Sequence, residues 1–197
     1  MEEVYELVSD KRLIVRKKMA NFLEKAFRNY GYEFSHDAFK KVIYGEEEYQ
    51  TKIEEKIKNF YDAYSFLLSN DKNRISKSLL KKFYYIIKEE ELFDFTAMKL
   101  STKYFKINHK APIEQAIEYH LYVYQELNEL SEDERTIISL MIFNYILVKN
   151  KIPCIQILRR DYKHYEQARE AYFSGNKTLM LEFVVDVIKN NPHMNKS

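Results

Sequence analysis

PIEQAIEYHLYVYQELNELSEDERTIISLMIFNYILVK, spanning Pro112–Lys149, is the stretch whose reading decides the fold. Apolar residues recur at helical spacing on both sides of ELNELSEDERT (Glu126–Thr136). The stretch therefore reads as two helices, Pro112–Glu129 and Glu132–Lys149, with a short connection. Ser131 and Glu134 have the spacing of a capping box, in which the serine oxygen takes an amide of the first turn and the glutamate reaches back. Glu132, Asp133 and Glu134 suit the positive end of a helix dipole, and Arg135 falls beside Glu132 as an ion-pair partner.

Helical periodicity continues outward from this pair. Leu13, Ile14, Met19, Phe22, Leu23 and Phe27 recur every three or four residues, and Tyr30-Gly31 ends that segment. Ser35 is placed to cap a short helix that stops at Gly45. A long helix follows over Glu47–Leu68 with Ile53, Ile57, Phe60, Tyr64 and Leu67 on one face, and another over Ser76–Glu90. Residues 93–111 lose the period, and the weak alternation of Lys103, Tyr104, Phe105, Lys106 and Ile107 predicts a short hairpin flap. Two more helices are expected over Tyr162–Phe173 and Lys177–Lys189. The organisation read from this is an N-terminal helical extension over 1–50, a core domain over 51–190 and a flexible tail over 191–197.

Composition agrees with an all-α chain. Only three glycines and three prolines interrupt 197 residues that are 46% hydrophobic, which fits long helices better than turn-rich β folds. The 32 basic and 30 acidic residues are interleaved, unlike the concentrated basic face of a nucleic-acid binder, so no nucleic-acid partner is expected. Cys154 stands alone, which excludes an intrachain disulfide and fits a reducing compartment. No apolar run reaches membrane-spanning length, and MEEVYELVSDKR at the N-terminus has no signal-peptide core. A cytoplasmic protein is the expectation.

The order of the pieces resembles the Fic (filamentation induced by cAMP) domain family. Ile57-Lys58-Asn59 with Ala63 looks like the start of its core, and Ile75-Ser76 to Phe83 like its next helix. Lys103–Ile107 falls where the family carries a flap that docks the target segment, and Ala116–His120 looks like the helix leading into the catalytic loop. Asn144–Pro153 is similar to the helix and turn that close the core. Tyr162–Gly175, with Tyr165, Ala168 and Gly175, is similar to the next helix and its terminator. The resemblance covers roughly residues 57–185. It implies an all-α Fic-like helical bundle with a β-hairpin flap, and an activity that transfers AMP from ATP to a protein hydroxyl with magnesium as cofactor.

Registered without a gap, the family signature HPFx(D/E)GNGRxxR meets different chemistry in this chain. Leu127 stands at the histidine, Ser131 at the metal-binding acid, Glu132, Asp133 and Glu134 at Gly-Asn-Gly, and Ile138 at the second arginine, while Arg135 keeps the first. Leucine neither accepts nor donates a proton. Carboxylates replace a glycine nest that would hold phosphate, and one such charge about 6 Å from a phosphate costs about 3 kcal/mol at an effective dielectric near 20. Many family members also inhibit themselves with an (S/T)xxxE(G/N) helix. Lys41–Gly45 resembles that region with Ile43 and Gly45 kept and Tyr44 at the glutamate, and Thr51–Glu55 fits the bare pattern but is followed by Lys56.

The expectation is a non-catalytic Fic-like module that needs no cofactor or metal and binds a protein partner through the flap, with the extension as a surface for a homodimer. Two rivals stand beside it. One is a divergent nucleotidyl or phosphoryl transferase that uses ATP and magnesium, with Arg135 orienting the anion. The other is a HEPN-like ribonuclease using Arg159 and His164, which match a short Rx4–6H pattern. His120 lies about two turns before Leu127, too far to replace the missing base, and reads as a core histidine. The five histidines are dispersed, so no metal cluster is expected.

Overall fold

Every residue from Thr136 to Leu147 is buried, so one helix of this chain has no solvent face over three turns. A helix that is apolar all round belongs at the centre of a bundle, with other elements on every side. The computed structural model describes residues 17–45, 50–70, 75–88, 112–152 and 154–190. In chain order the helices are α1 (residues 17–29), α2 (His36–Tyr44), α3 (Lys52–Ser69), α4 (Lys77–Lys88), α5 (Pro112–Glu126), the central α6 (Glu132–Lys149), α7 (Tyr162–Phe173) and α8 (Thr178–Lys189). A 3-10 turn over Arg159–Asp161 leads into α7.

The packing follows from the apolar faces. α5, buried without interruption from Ala116 to Tyr124, lies along α6. α3 packs on α2 and α4 and touches α6, while α8 packs on α7 and touches α5. α1 sits on α3 through edge-to-face aromatic pairs, Phe22 with Tyr64 at 5.8 Å and Phe27 with Phe60 at 5.3 Å between centroids. Residues of α1 and α2 share one hydrophobic cluster with those from α3 onward.

Local chemistry sets the boundaries. Ser35 caps α2, its Oγ accepting the Ala38 N–H at 3.0 Å. α3 begins at Lys52, not at Glu47, because Thr51 and Glu54 form a capping box: Thr51 Oγ1 accepts the Glu54 amide and Glu54 accepts the Thr51 amide at 2.9 Å. α5 stops at Glu126 rather than Glu129, since residues 127–129 form a turn closed by the Leu130 N–H on the Leu127 carbonyl at 3.0 Å. α6 ends in a Schellman turn. The Ile152 N–H reaches the Leu147 carbonyl and the Lys151 N–H the Val148 carbonyl, with Lys151 in the left-handed region at φ 60°.

After that turn the chain runs extended, with Cys154, Ile155, Gln156 and Ile157 all buried. Asn144 holds it there: its Nδ2 donates to the Ile155 carbonyl at 3.0 Å and its Oδ1 accepts the Ile155 N–H at 2.8 Å. Asn29 of α1 adds a bond to the Ile157 carbonyl at 3.0 Å. The described residues contain no strand, and the expected flap over Lys103–Ile107 lies outside them. No helix among the described residues is long and apolar enough to cross a membrane.

Asn144 thus substitutes for a neighbouring strand, satisfying both backbone groups of one buried residue. Asn144→Ala leaves both without that partner, at about 1–3 kcal/mol per group. The expected loss is about 2–4 kcal/mol in urea unfolding; a loss under about 1 kcal/mol would show that water replaces the amide at no penalty.

Candidate functional site

The residues in register with the family signature gather at the start of α6, and each of its three acids takes partners from a different part of the fold. Successive residues of a helix point about 100° apart, so three in a row fan outward in three directions. Glu134 points to α3 and α4, where Lys56 Nζ meets Oε1 at 2.8 Å and Lys88 Nζ meets Oε2 at 2.7 Å. Asp133 accepts a short hydrogen bond from the Tyr32 hydroxyl, in the turn between α1 and α2. That hydroxyl in turn accepts from Lys56 Nζ at 2.6 Å, so Asp133, Tyr32, Lys56, Glu134 and Lys88 form one chain of hydrogen bonds.

Glu132 points the other way, toward α5 and α7. Its Oε1 accepts from the Tyr124 hydroxyl at 2.8 Å and from Arg169 Nη1 at 3.2 Å, and its Oε2 accepts from Arg135 Nη2 at 3.0 Å. Tyr124 also lies under both guanidinium groups, with Arg135 4.3 Å and Arg169 4.4 Å from its ring centroid. Arg169 is the better shielded cation, its side chain 12% exposed against 23% for Arg135. Burial pushes the Tyr124 hydroxyl up to about 12, reinforced by its hydrogen bond to Glu132, so it remains a donor. Ser131 is the N-cap of α6, but its hydroxyl caps no amide of the first turn. The expected capping box is therefore absent, because two ammonium groups outcompete one backbone N–H for Glu134.

Leu127 and Ile138, which the sequence register sets at the family's base and second arginine, are each 1% exposed. Both line a small apolar space with Leu80, Phe83 and Ile142, so the two positions have become parts of one packed contact. His120 is equally deep in the core, with Nε2 2.7 Å from the Tyr165 hydroxyl. Burial brings its pKa down to about 3, and it is neutral at physiological pH.

The other candidates fall elsewhere. In Lys41–Gly45, Ile43 is core and Tyr44 is exposed with its ring edge-on to Tyr61. Gly45 is required by close approach, since a Cβ there would lie 2.3 Å from the Lys41 carbonyl oxygen. Thr51 and Glu54 are occupied in capping α3. Arg159 is exposed on the 3-10 turn, whereas His164 lines a groove between α7 and α8 beside Arg160. The flap candidates Lys103, Tyr104, Phe105, Lys106 and Ile107 lie outside the described residues. No group of His, Cys, Asp and Glu among the described residues has the geometry of a metal site.

Comparison with solved structures bears on the fold. The crystal structure of a Fic domain containing signaling protein from Bacteroides thetaiotaomicron superposes with a TM-score of 0.68, covering 91% of this chain and 87% of that one. The fold is Fic-like. Sequence identity over the match is 12%, so the likeness is one of architecture. No family profile matches the sequence, and no curated protein is significantly similar to it.

Within this Fic-like fold, sequence reasoning found the connection between α5 and α6 and the Glu132–Arg135 pair, and missed Tyr32, Lys56, Lys88, Tyr124 and Arg169. Four of these come from elements distant in sequence, and none carries a local pattern that announces a partner. For Glu134, burial raises the carboxyl pKa, but the hydrogen bonds and charges of Lys56 and Lys88 more than reverse it. Glu132 and Asp133 are likewise held below their ordinary values, by Tyr124 and the two arginines and by Ser131, Tyr32 and Lys56, against the opposing effect of burial.

Groups with depressed pKa values contribute stability that is present above the unfolded-state value and is lost as pH falls through the folded one. The acidic staple is therefore intact at pH 7 and is lost below about pH 4. Glu134→Gln is expected to cost about 1–3 kcal/mol at pH 7, between the values for exposed and buried pairs. The gap to wild type should close in acid, well below the ordinary carboxylate range, where Glu134 itself is neutralised. Urea unfolding at both pH values checks this, and a gap that persists in acid would assign the loss to packing.

Proposed function

We propose that this chain is a non-catalytic, Fic-like protein-interaction module. The observation that carries the reading is the occupancy of Arg135, the one signature residue kept. Its guanidinium is bound to the chain's own Glu132 and stacked on Tyr124, with Arg169 on the same carboxylate. A nucleotide phosphate entering here would have to displace Glu132 from both Arg135 and Arg169. At the position of the family's base, Leu127 is buried and has no proton to exchange. His120 is no substitute, since a base with a pKa near 3 that is engaged with Tyr165 has little drive to take a proton from a hydroxyl. On this reading the chain uses neither ATP nor magnesium. Its work is recognition of a protein partner, in keeping with the description of its structural neighbour as a signaling protein.

Isothermal titration with Mg-ATP is expected to give no saturable heat up to about 1 mM, corresponding to binding weaker than about 4 kcal/mol. A labelled-AMP transfer assay on the chain and on candidate partners is expected to be blank. Micromolar Mg-ATP binding that disappears in Arg135→Ala would overturn the reading in favour of a rearranged transferase.

A further inference from the structure

α7, α8 and the segment leading into α7 enclose an open groove of about 840 Å3. Leu158, Leu179, Phe183 and Val187 supply its apolar surface. The spacing of the α8 members puts them on one side of that helix, along about two turns or 12 Å. α8 carries apolar residues all round, yet only Met180 and Val184 are buried. Leu179 is 45% exposed. Helices of such composition are ordinarily covered; Phe183 and Val187 are partly buried against the core, and in the groove their remaining surface and that of Leu179 are open.

Two further observations say what covers it. Gln156, on the extended segment held by Asn144, lines the groove and is 4% exposed, and its Nε2 has no hydrogen-bond partner among the described residues. An unpaired buried donor is unfavourable until an acceptor reaches it, and the last side-chain torsion of glutamine turns freely enough to meet one. The lining is also acidic, with Asp161, Glu182 and Asp186 against Arg160. Arg160 already lies 3.7 Å from Asp161, and the exposed Glu182 and Asp186 have no ion-pair partner among the described residues.

We propose that the α7–α8 groove docks a basic amphipathic helix of a protein partner. Its apolar side chains cover Leu179, Phe183 and Val187, and its lysines or arginines face Glu182 and Asp186. One of the carbonyls left unsatisfied at its C-terminus takes the Gln156 amide. The proposal rests on the partner-binding reading above and names the surface and the chemistry of the partner.

The test uses the full chain and a fluorescein-labelled, 18-residue helical peptide of leucine and lysine, with a leucine–glutamate peptide and a scrambled leucine–lysine peptide as comparators. Fluorescence anisotropy is expected to show that wild type binds the leucine–lysine helix at least tenfold more tightly than either comparator. Phe183→Glu and the double variant Glu182→Lys/Asp186→Lys should each weaken that binding at least tenfold, and the double variant should gain the leucine–glutamate peptide. Should Phe183→Glu fail to fold by circular dichroism, Leu179→Glu at the more exposed position takes its place. Equal binding to wild type and variants, or none at all, overturns the groove assignment. So does sedimentation showing a homodimer broken by the same substitutions, since a second copy would then be the occupant. Either result leaves the non-catalytic reading standing if Mg-ATP still fails to bind, whereas Arg135-dependent nucleotide binding removes that reading whatever the groove does.

Discussion

Burial on every side gives a helix little preference for how it is rotated about its own axis, and α6 is so buried from Thr136 to Leu147, with Asn144 fixing it only through Ile155. The fan of ion pairs at its first turn removes that freedom. Glu132 engages α5 and α7, Asp133 the α1–α2 turn, and Glu134 both α3 and α4. Turning α6 by one residue would detach all of them together and leave half-buried charges without partners, a penalty of several kcal/mol. Packing supplies most of the stabilisation of such a core, and the charged fan selects one packing among near-equivalent ones. The carboxylates also sit at the positive end of the helix dipole, where they are favoured before any side chain approaches.

The same fan governs the functional reading. In this Fic-like fold the start of α6 lies where helices from both halves of the chain converge, and convergence is what a catalytic site or a structural hub each require. Here the converging groups are donors of the chain itself, two lysines, two arginines and two tyrosine hydroxyls around three carboxylates. Fold likeness alone cannot choose between those uses. Under the proposed reading, the choice rests on which atoms occupy the guanidinium of Arg135.

Much of the helical frame was legible in the sequence because its signals are local. Glu132–Lys149 and Tyr162–Phe173 fall where periodicity placed them, and Ser35 caps α2 as its residue type and position indicated. What escaped was decided by residues far apart in sequence. Ser131-Glu-Asp-Glu134 has the form of a capping box, and only the arrival of Lys56 and Lys88 from other helices diverts Glu134 from that role. Lys56 looked like the residue that spoiled an inhibitory pattern at Thr51–Glu55; in the folded chain Thr51 and Glu54 cap α3 and Lys56 binds the signature loop. Arg169 and Gln156 likewise acquire meaning only through what the fold sets beside them.

The occupied arginine and the apolar pair at Leu127 and Ile138 are separate obstacles to nucleotide chemistry, and they bear differently on the proposed reading. Removing the Glu132 carboxylate would leave Arg135 and Arg169 stacked on Tyr124 with their charges exposed to an incoming anion. That addresses binding but supplies no base. A histidine at position 127 would enter the space that Leu127 shares with Leu80, Phe83, Ile138 and Ile142. His120 shows what such surroundings do to an imidazole in this protein, since burial brings it to about 3. A buried histidine at 127 would be desolvated in the same way and would make a poor base at neutral pH. A change at the loop alone therefore does not restore proton transfer. The apolar wall facing it, Ile138 included, would have to open as well, and that wall is shared by α4 and the helix on which the whole bundle is assembled.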